Sequence, residues 1–197
     1  GGDGTPGNPY NISTCLEFQN MSSDLAASYQ LINDINCSGI SDFNPIGNCT
    51  GFCNNVDDNP FMGNFTGNNY TISNIFIENL TSNDAGWGIF SYVDSGVDFI
   101  EDIRFENITV IVPNADSVGG LIGNVGNSLN TLNNIIGKNI KVIGNDDVGG
   151  LGGYINMDIT NVYVESNVSG NNGVGGLIGF LYQSGSLYNE NYRLRLA

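Results

Sequence analysis

The sequence predicts an all-β protein, a right-handed parallel β-helix (β-solenoid) with a short N-terminal capping helix, and three observations carry that prediction. A glycine-rich phrase is written four times, as GWGIF from Gly86, VGGLIG from Val118, VGGLGG from Val148 and VGGLIG from Val174. Aligned on Gly88, Gly120, Gly150 and Gly176, the copies lie 32, 30 and 26 residues apart. A phrase recurring at that period marks stacked repeats, none of which can bury its apolar face alone. The second observation is a strand-like run in each repeat that opens on an amide or carboxylate, at Asn74, Asp102, Asn134, Asn161 and Asn189. The third is a strand, helix, strand order ahead of the repeats, which would cover the open end of the first coil.

Taken in order, Gly1 to Pro9 is a Gly/Pro/Asn-rich lead-in, and Tyr10 to Ser13 reads as a short strand. Thr14-Cys15-Leu16-Glu17 has the spacing of a capping box and predicts a helix running to about Ala27. Tyr29 to Asn36 returns as a strand with Leu31 and Ile35 inward. Residues 1–60 thus form a cap with a disulfide-bearing loop, and 61–197 the stacked rungs of a single domain. Ser38 to Pro60 is loop-like, and two strands flank the Gly67-Asn68-Asn69 turn.

In the rungs, apolar and polar residues alternate (Ile103, Phe105; Ile108, Val110), as half-buried strands require. Strands stacked about 4.8 Å apart would place like side chains above one another. The Asn ladder expected from this is Asn74, Asp102, Asn134, Asn161 and Asn189, each buried amide donating and accepting in turn. Asn79, Asn107 and Asn139 recur five residues later and Asn167 six, with Ser166 reading as an inserted bulge residue. The Gly-Gly pairs are expected at corners, where positive φ or close backbone approach excludes a Cβ. Beyond Gly185 one more alternating rung is expected (Tyr192, Leu194, Leu196), with Arg193 and Arg195 as edge charges. Its bare end implies a longer solenoid or a docking edge.

The VGGLIG phrases, together with GGDGTPGNPYNIST and YQLINDINCSG near the N-terminus, resemble the GLUG-type repeat proteins. These are solenoid segments of large bacterial and archaeal surface and adhesin-like proteins. The resemblance runs from roughly Gly1 to Gly185 and implies the fold and a surface setting, with no catalytic residues to carry over.

Composition narrows the chemistry. The 197 residues include 20 acidic and 5 basic side chains and no His, for a net charge of −15. A phosphate backbone needs a basic face, so no nucleic acid partner is expected. No run of 18 apolar residues is present, so no membrane insertion is expected. The chain begins Gly1-Gly2 without Met, which suggests a processed product. Without His, mixed Cys/His zinc sites and Ser/His/Asp or Cys/His catalysis are excluded.

Cys15, Cys37, Cys49 and Cys53 read as two disulfides. Of three connectivities the favoured one is Cys15–Cys37, tying cap helix to strand, with Cys49–Cys53 pinching the loop. Sequons begin at Asn11, Asn20, Asn36, Asn48, Asn64, Asn69, Asn79, Asn107 and Asn167, more than the roughly four expected by composition. Asn48, Asn64 and Asn69 are the strongest glycosylation candidates. The acidic pairs Asp57-Asp58 and Asp146-Asp147 read as solvated turn carboxylates without basic company. No cofactor is expected beyond a weak Ca2+ site in the Asn/Asp turns.

The functional expectation is a non-enzymatic, extracellular or cell-surface glycoprotein module, structural or adhesive. Its partners would be itself, through the C-terminal rung, or the rest of a longer surface protein, or host or cell-surface glycans. The alternative is a carbohydrate-binding or polysaccharide lyase-like β-helix.

Overall fold

The computed structural model describes residues 1–94, 96, 98–126 and 131–182, and the backbone of 187–188 and 191–194. Strand β1 (Tyr10–Ile12) leads into helix α1 (Cys15–Gln19). The Thr14 hydroxyl accepts from the Glu17 amide at 3.2 Å, and the Glu17 carboxylate accepts from the amides of Thr14 and Ser13 at 3.1 and 2.8 Å. That closes the capping box. The helix does not reach Ala27. It ends at Gln19 and a 3-10 turn covers Asn20–Ser23. Asn, Ser and Asp compete with the helical backbone, and here the Ser23 hydroxyl donates to the Asn20 carbonyl at 2.8 Å.

The cap continues through β2 (Tyr29–Leu31) and β3 (Ile35–Asn36), two short strands where one is predicted. Leu31 and Ile35 are both buried. The next coil holds β4 (Phe65–Thr66), β5 (Thr71–Glu78) and β6 (Phe90–Val93). Later coils share one plan of a long strand and two short ones. They are β7 (Phe99–Ile111), β8 (Val118–Gly119) and β9 (Ile122–Val125); β10 (Thr131–Ile143), β11 (Asp146–Gly149) and β12 (Gly152–Ile155); and β13 (Asp158–Ser169), β14 (Asn172–Gly175) and β15 (Ile178–Leu181). Backbone strands β16 (Leu187–Tyr188) and β17 (Asn191–Leu194) pair with β13.

The protein is therefore mostly β, with parallel sheets consistent with a β-helix. A ten-stranded sheet runs β1-β2-β4-β7-β10-β13-β16, with β3 paired to β5, β5 to β7 and β17 to β13, while β8, β11 and β14 form a second sheet and β6, β9, β12 and β15 a third. Like side chains fall above one another, as in Ile103, Ile135 and Val162, or Ile100, Leu132 and Ile159. All six are buried. At the N-terminal end Phe18 from α1 plugs the first coils, its ring centroid 5.6 Å from Phe65 and 5.7 Å from Phe43.

Of the two alternatives expected at the Gly-Gly pairs, positive φ or close backbone approach, the structure has close approach. In the long strands positive φ falls on Asn and Asp, at Asn74, Asp102, Asn107, Asn134, Asn139 and Asn161 (53° to 59°), and at the corner before each glycine pair on Gly86, Ser117, Asp147 and Gly173, not on the Gly-Gly pairs themselves. Asn and Asp tolerate this region because their short polar side chains bond locally, and single residues there bend a long strand without ending it. The glycine pairs serve close approach instead. A Cβ on Gly119 would lie 2.1 Å from the Ile122 carbonyl oxygen, and one on Gly150 would lie 2.4 Å from that of Gly176. Register also moves the first copy of the phrase. Trp87 bridges Val118 and Phe90 pairs with Ile122, so two residues face three and Gly88 stacks on Gly119 rather than Gly120.

Gly150→Ala is expected to destabilise the fold by about 1–3 kcal/mol through overpacking, because its Cβ would also sit 2.4 Å from Ser166 Oγ. Gly7→Ala, where a Cβ meets nothing within 4 Å, should stay within about 0.5 kcal/mol of the parent. Denaturant unfolding of the two variants checks both.

Candidate functional site

The recurring amides do form ladders, in a different pairing from the one predicted. Asn134 Nδ2 donates to Asp102 Oδ1 at 2.9 Å, and Asn161 Nδ2 to Asn134 Oδ1 at 3.2 Å. Asn74 belongs to a second ladder. It donates to Asn36 Oδ1 at 3.0 Å and accepts from Asn107 at 3.2 Å, and Asn139 then donates to Asn107 at 2.7 Å. The cause is a two-residue insertion. Thr66 pairs with Glu101 and Thr71 with Arg104, so Gly67 to Tyr70 face only Asp102 and Ile103, and Asn74 slides opposite Asn107. Asn79 lies beyond β5, where its Oδ1 accepts from the amides of Thr81 and Ser82 at 3.1 and 2.9 Å.

Ser166 is not an inserted residue. Gly137 pairs with Val164 and Ile140 with Ser166, so β13 is one residue short at this corner and Asn139 has no counterpart. Ser166 takes the inward place of Ile140 and donates to the Gly176 carbonyl at 2.6 Å, while Asn167 stands exposed opposite Lys141. The ladder amides are on the outer surface, half-buried or exposed, not in the core. Asn189 lies outside the described residues.

A further set of ladder bonds, at the corners read from sequence only as polar turns, joins Asn145 to Asp116 (2.8 Å), Asn171 to Asn145 (2.5 Å) and Asn172 to Asp146 (3.0 Å). In every case the amide of the later coil donates to the oxygen of the earlier one. The lowest rung needs only an acceptor, which is why a carboxylate serves at Asp102, Asp116 and Asp146.

The structure joins Cys15 to Cys37 and Cys49 to Cys53. Of the sequons, Asn20, Asn36, Asn48, Asn69, Asn107 and Asn167 are exposed, and Asn11 and Asn79 half-buried. Asn64 is corrected by its surroundings. It is buried at 4% exposure and its Oδ1 accepts from the Asp98 amide at 2.7 Å, which leaves no room for a glycan. Asn107 already donates its Nδ2 to the ladder, whereas Asn36 gives the ladder only its Oδ1.

A groove of about 560 Å³ lies on the outside of the short-strand sheet. Its position follows from register. Tyr92, Asn124, Tyr154 and Phe180 occupy equivalent places on β6, β9, β12 and β15. Tyr92 is buried beneath the Cys49–Cys53 loop, whereas Asn124 and Tyr154 line the groove. The Tyr154 ring stacks on Phe180 at 5.2 Å and 10°, and Tyr182 lies 6.0 Å from Tyr154.

The facing wall is made by the corners before each Val-Gly-Gly, which bring Asp116, Ser117, Asp146 and Asp147 to one side. Phe52 and Cys53 close one end. Their loop is held by the disulfide, by Gly51 N donating to Asp84 Oδ1 at 3.0 Å, and by Ala85 N donating to the Gly51 carbonyl at 2.8 Å. Sequence reading missed this groove. Its signal, an aromatic or amide recurring one residue after the third glycine position of the phrase (Gly123, Gly153, Gly179), appears only once the phrases are in register.

Asp57 is exposed, as expected of a solvated turn carboxylate, whereas Asp58, Asp146 and Asp147 are half-buried. Asp58 Oδ1 accepts from Thr50 N and Oγ1 at 2.7 and 2.9 Å, and Oδ2 from Asn55 N at 2.8 Å. Burial pushes its pKa up, but the bonds from Thr50 and Asn55 outweigh it and hold the carboxyl below its ordinary range. Asp147 is half-buried, and burial first, then the charges of Asp146 and Asp116, raise its pKa above the ordinary 3.8. Among the described residues no group of three or more His, Cys, Asp or Glu is placed to hold a metal. The Asn/Asp turns expected to bind Ca2+ instead spend their oxygens on the next coil's amides.

A raised carboxyl pKa favours the folded state below the ordinary value and loses that contribution as pH rises through the folded pKa. Ionised Asp147 therefore weakens the fold at neutral pH. Asp147→Asn is expected to raise the thermal midpoint at pH 7, with the gap to the parent closing below pH 3.8. Parallel melts across that range check the sign.

No family model matches the chain. It is 30% identical over 168 residues to halomucin from Haloquadratum walsbyi (strain DSM 16790 / HBSQ001), a match covering 80% of this chain and 2% of that protein. It also superimposes on the crystal structure of a putative immunoglobulin A1 protease from Bacteroides ovatus with a TM-score of 0.52, at 20% identity, over 99% of this chain and 69% of that one. At that identity the likeness is one of fold.

Proposed function

We propose that this chain is a right-handed β-solenoid segment of a large extracellular or cell-surface protein, a non-enzymatic module that holds position and spacing outside the cell. The observation that carries the reading is the in-register stack of coils with its external amide ladders, which makes a stiff rod whose ends are the natural points of extension. The right hand follows from the near-universal right-handed crossover between parallel strands. Two disulfides in the first 53 residues suit an oxidising compartment. Similarity to a small part of halomucin fits a segment within a much longer chain.

Membership of the GLUG-type repeat proteins is part of the same proposal, as is glycosylation at exposed sequons such as Asn20, Asn48 and Asn69. The non-enzymatic reading is supported by how the groove's carboxylates are used, since Asp116 and Asp146 each give an oxygen to a ladder bond. In the assembling version, the last coil adds strands to a second copy or to the rest of the same protein. Nothing basic enough for nucleic acid lines the described surface, where Arg104, Lys138 and Lys141 stand apart from the groove.

Native material is expected to gain four hydrogens in mass on reduction, one pair for each disulfide, and to lose further mass on deglycosylation. A fully reduced, glycan-free native mass would refute the extracellular glycoprotein reading. Deleting Tyr188 to Ala197 should abolish polymers seen by negative-stain microscopy, and unchanged fibres would remove the assembling version.

A further inference from the structure

We infer that the groove between the short-strand sheet and the corners is a binding site for a neutral saccharide. This goes beyond the scaffold reading and does not depend on it. Its volume of about 560 Å³ lies within the range of roughly 300–1,000 Å³ typical of small-ligand clefts.

Charge narrows the ligand first. Asp116, Asp146 and Asp147 line one wall, and no Lys or Arg is among the lining residues. An anionic ligand would meet three carboxylates with nothing to neutralise it. Burial first, and then the charges of Asp146 and Asp116, already raise the Asp147 pKa.

Hydrogen-bonding capacity narrows it further. Ser117 and Asn124 line the groove at 5% and 9% exposure. Among the described residues their side chains have one mutual contact, Asn124 Nδ2 to Ser117 Oγ at 3.5 Å, at the long limit for a hydrogen bond. The Ser117 hydroxyl proton and the Asn124 carboxamide oxygen are left, within the described residues, without a partner. Buried polar groups in native structures are normally satisfied, so this pair calls for a ligand or water in the groove. The pair needs an acceptor and a donor together. An ammonium group can only donate, whereas each hydroxyl of a polyol does both.

The aromatic side completes the match. Tyr154 and Tyr182, their rings 6.0 Å apart, line the same groove, and Phe180 covers one face of the Tyr154 ring. An aromatic face is electron-rich and favours the slightly positive C–H groups of a sugar ring, while its hydroxyl bonds the ring substituents. Phe52, at the closed end, is 77% exposed. The Cys49–Cys53 bridge then acts as a positioning device that holds this wall.

Isothermal titration of the full chain tests the inference. The probes are cellohexaose, mannohexaose, xylohexaose and N-acetylchitohexaose, with hexagalacturonate as the anionic and spermidine as the cationic comparator. At least one neutral oligosaccharide is expected to bind with a dissociation constant below about 1 mM, equivalent to roughly −4 kcal/mol, and hexagalacturonate is expected not to bind. Tyr182→Ala should weaken that binding by about ten-fold with little change in melting temperature, because Tyr182 is 46% exposed. Phe76→Ala, on a side chain outside the groove, should leave binding intact.

Absence of binding by all four neutral probes would overturn the inference. So would unchanged binding in Tyr182→Ala, or binding of spermidine alone. The surface-scaffold reading is judged separately, by labelling intact cells with an antibody to the chain.

Discussion

The structure depends on one constraint: each coil must present like residues to the coil beneath it, in register, over every parallel strand. Backbone bonds between strands impose a common spacing of about 4.8 Å, which brings equivalent side chains into contact without any further choice. Inside, this stacks Ile on Ile and Val. It also explains why Gly137 follows Phe105, since a Cβ there would lie 2.6 Å from the ring and leaves it no space. Outside, it sets amide above amide. The same geometry that fills the core therefore builds the ladders.

The ladders and the corners are one device. A residue that bends the strand must tolerate positive φ, and Asn and Asp do so at lower cost than branched side chains. Placed at every corner, they stand above one another and bond along the stack. The donors all point toward the earlier coil, so amide dipoles align and reinforce each other. Where a corner is lost, as in β13, the ladder through Asn139 stops. Glycine is thereby released for another task, letting the two arms of each Val-Gly-Gly turn approach at distances no side chain permits.

The groove is a by-product of this economy that becomes a site through two local departures. Small residues on the short strands let the corner carboxylates close over one side of the sheet, and the disulfide-pinned loop blocks one end. Repetition then supplies the lining coil by coil, with Asp116, Asp146 and Asn172 on one wall and Asn124 and Tyr154 on the other. Halomucin shares enough sequence to align with most of this chain while exceeding it many times in length. A surface that recurs at each coil is one that a longer stack could extend.

Much of the architecture was legible in the sequence. The recurring Val-Gly-Gly phrase, the alternation in Ile103 and Phe105, the capping box at Thr14 and the lack of His bound the class, the parallel stacking and the available chemistry, because each is a local property of residues and their spacing. The partner of Asn74, the place of Gly88, the role of Ser166 and the burial of Asn64 were settled only in three dimensions. Each depends on register between coils, and register is non-local. Two extra residues before Tyr70, or one missing near Glu165, move the side chains that follow in the same strand to different neighbours. The groove belongs to the same class, since its walls come from stretches far apart in the chain that meet only when the coils are stacked.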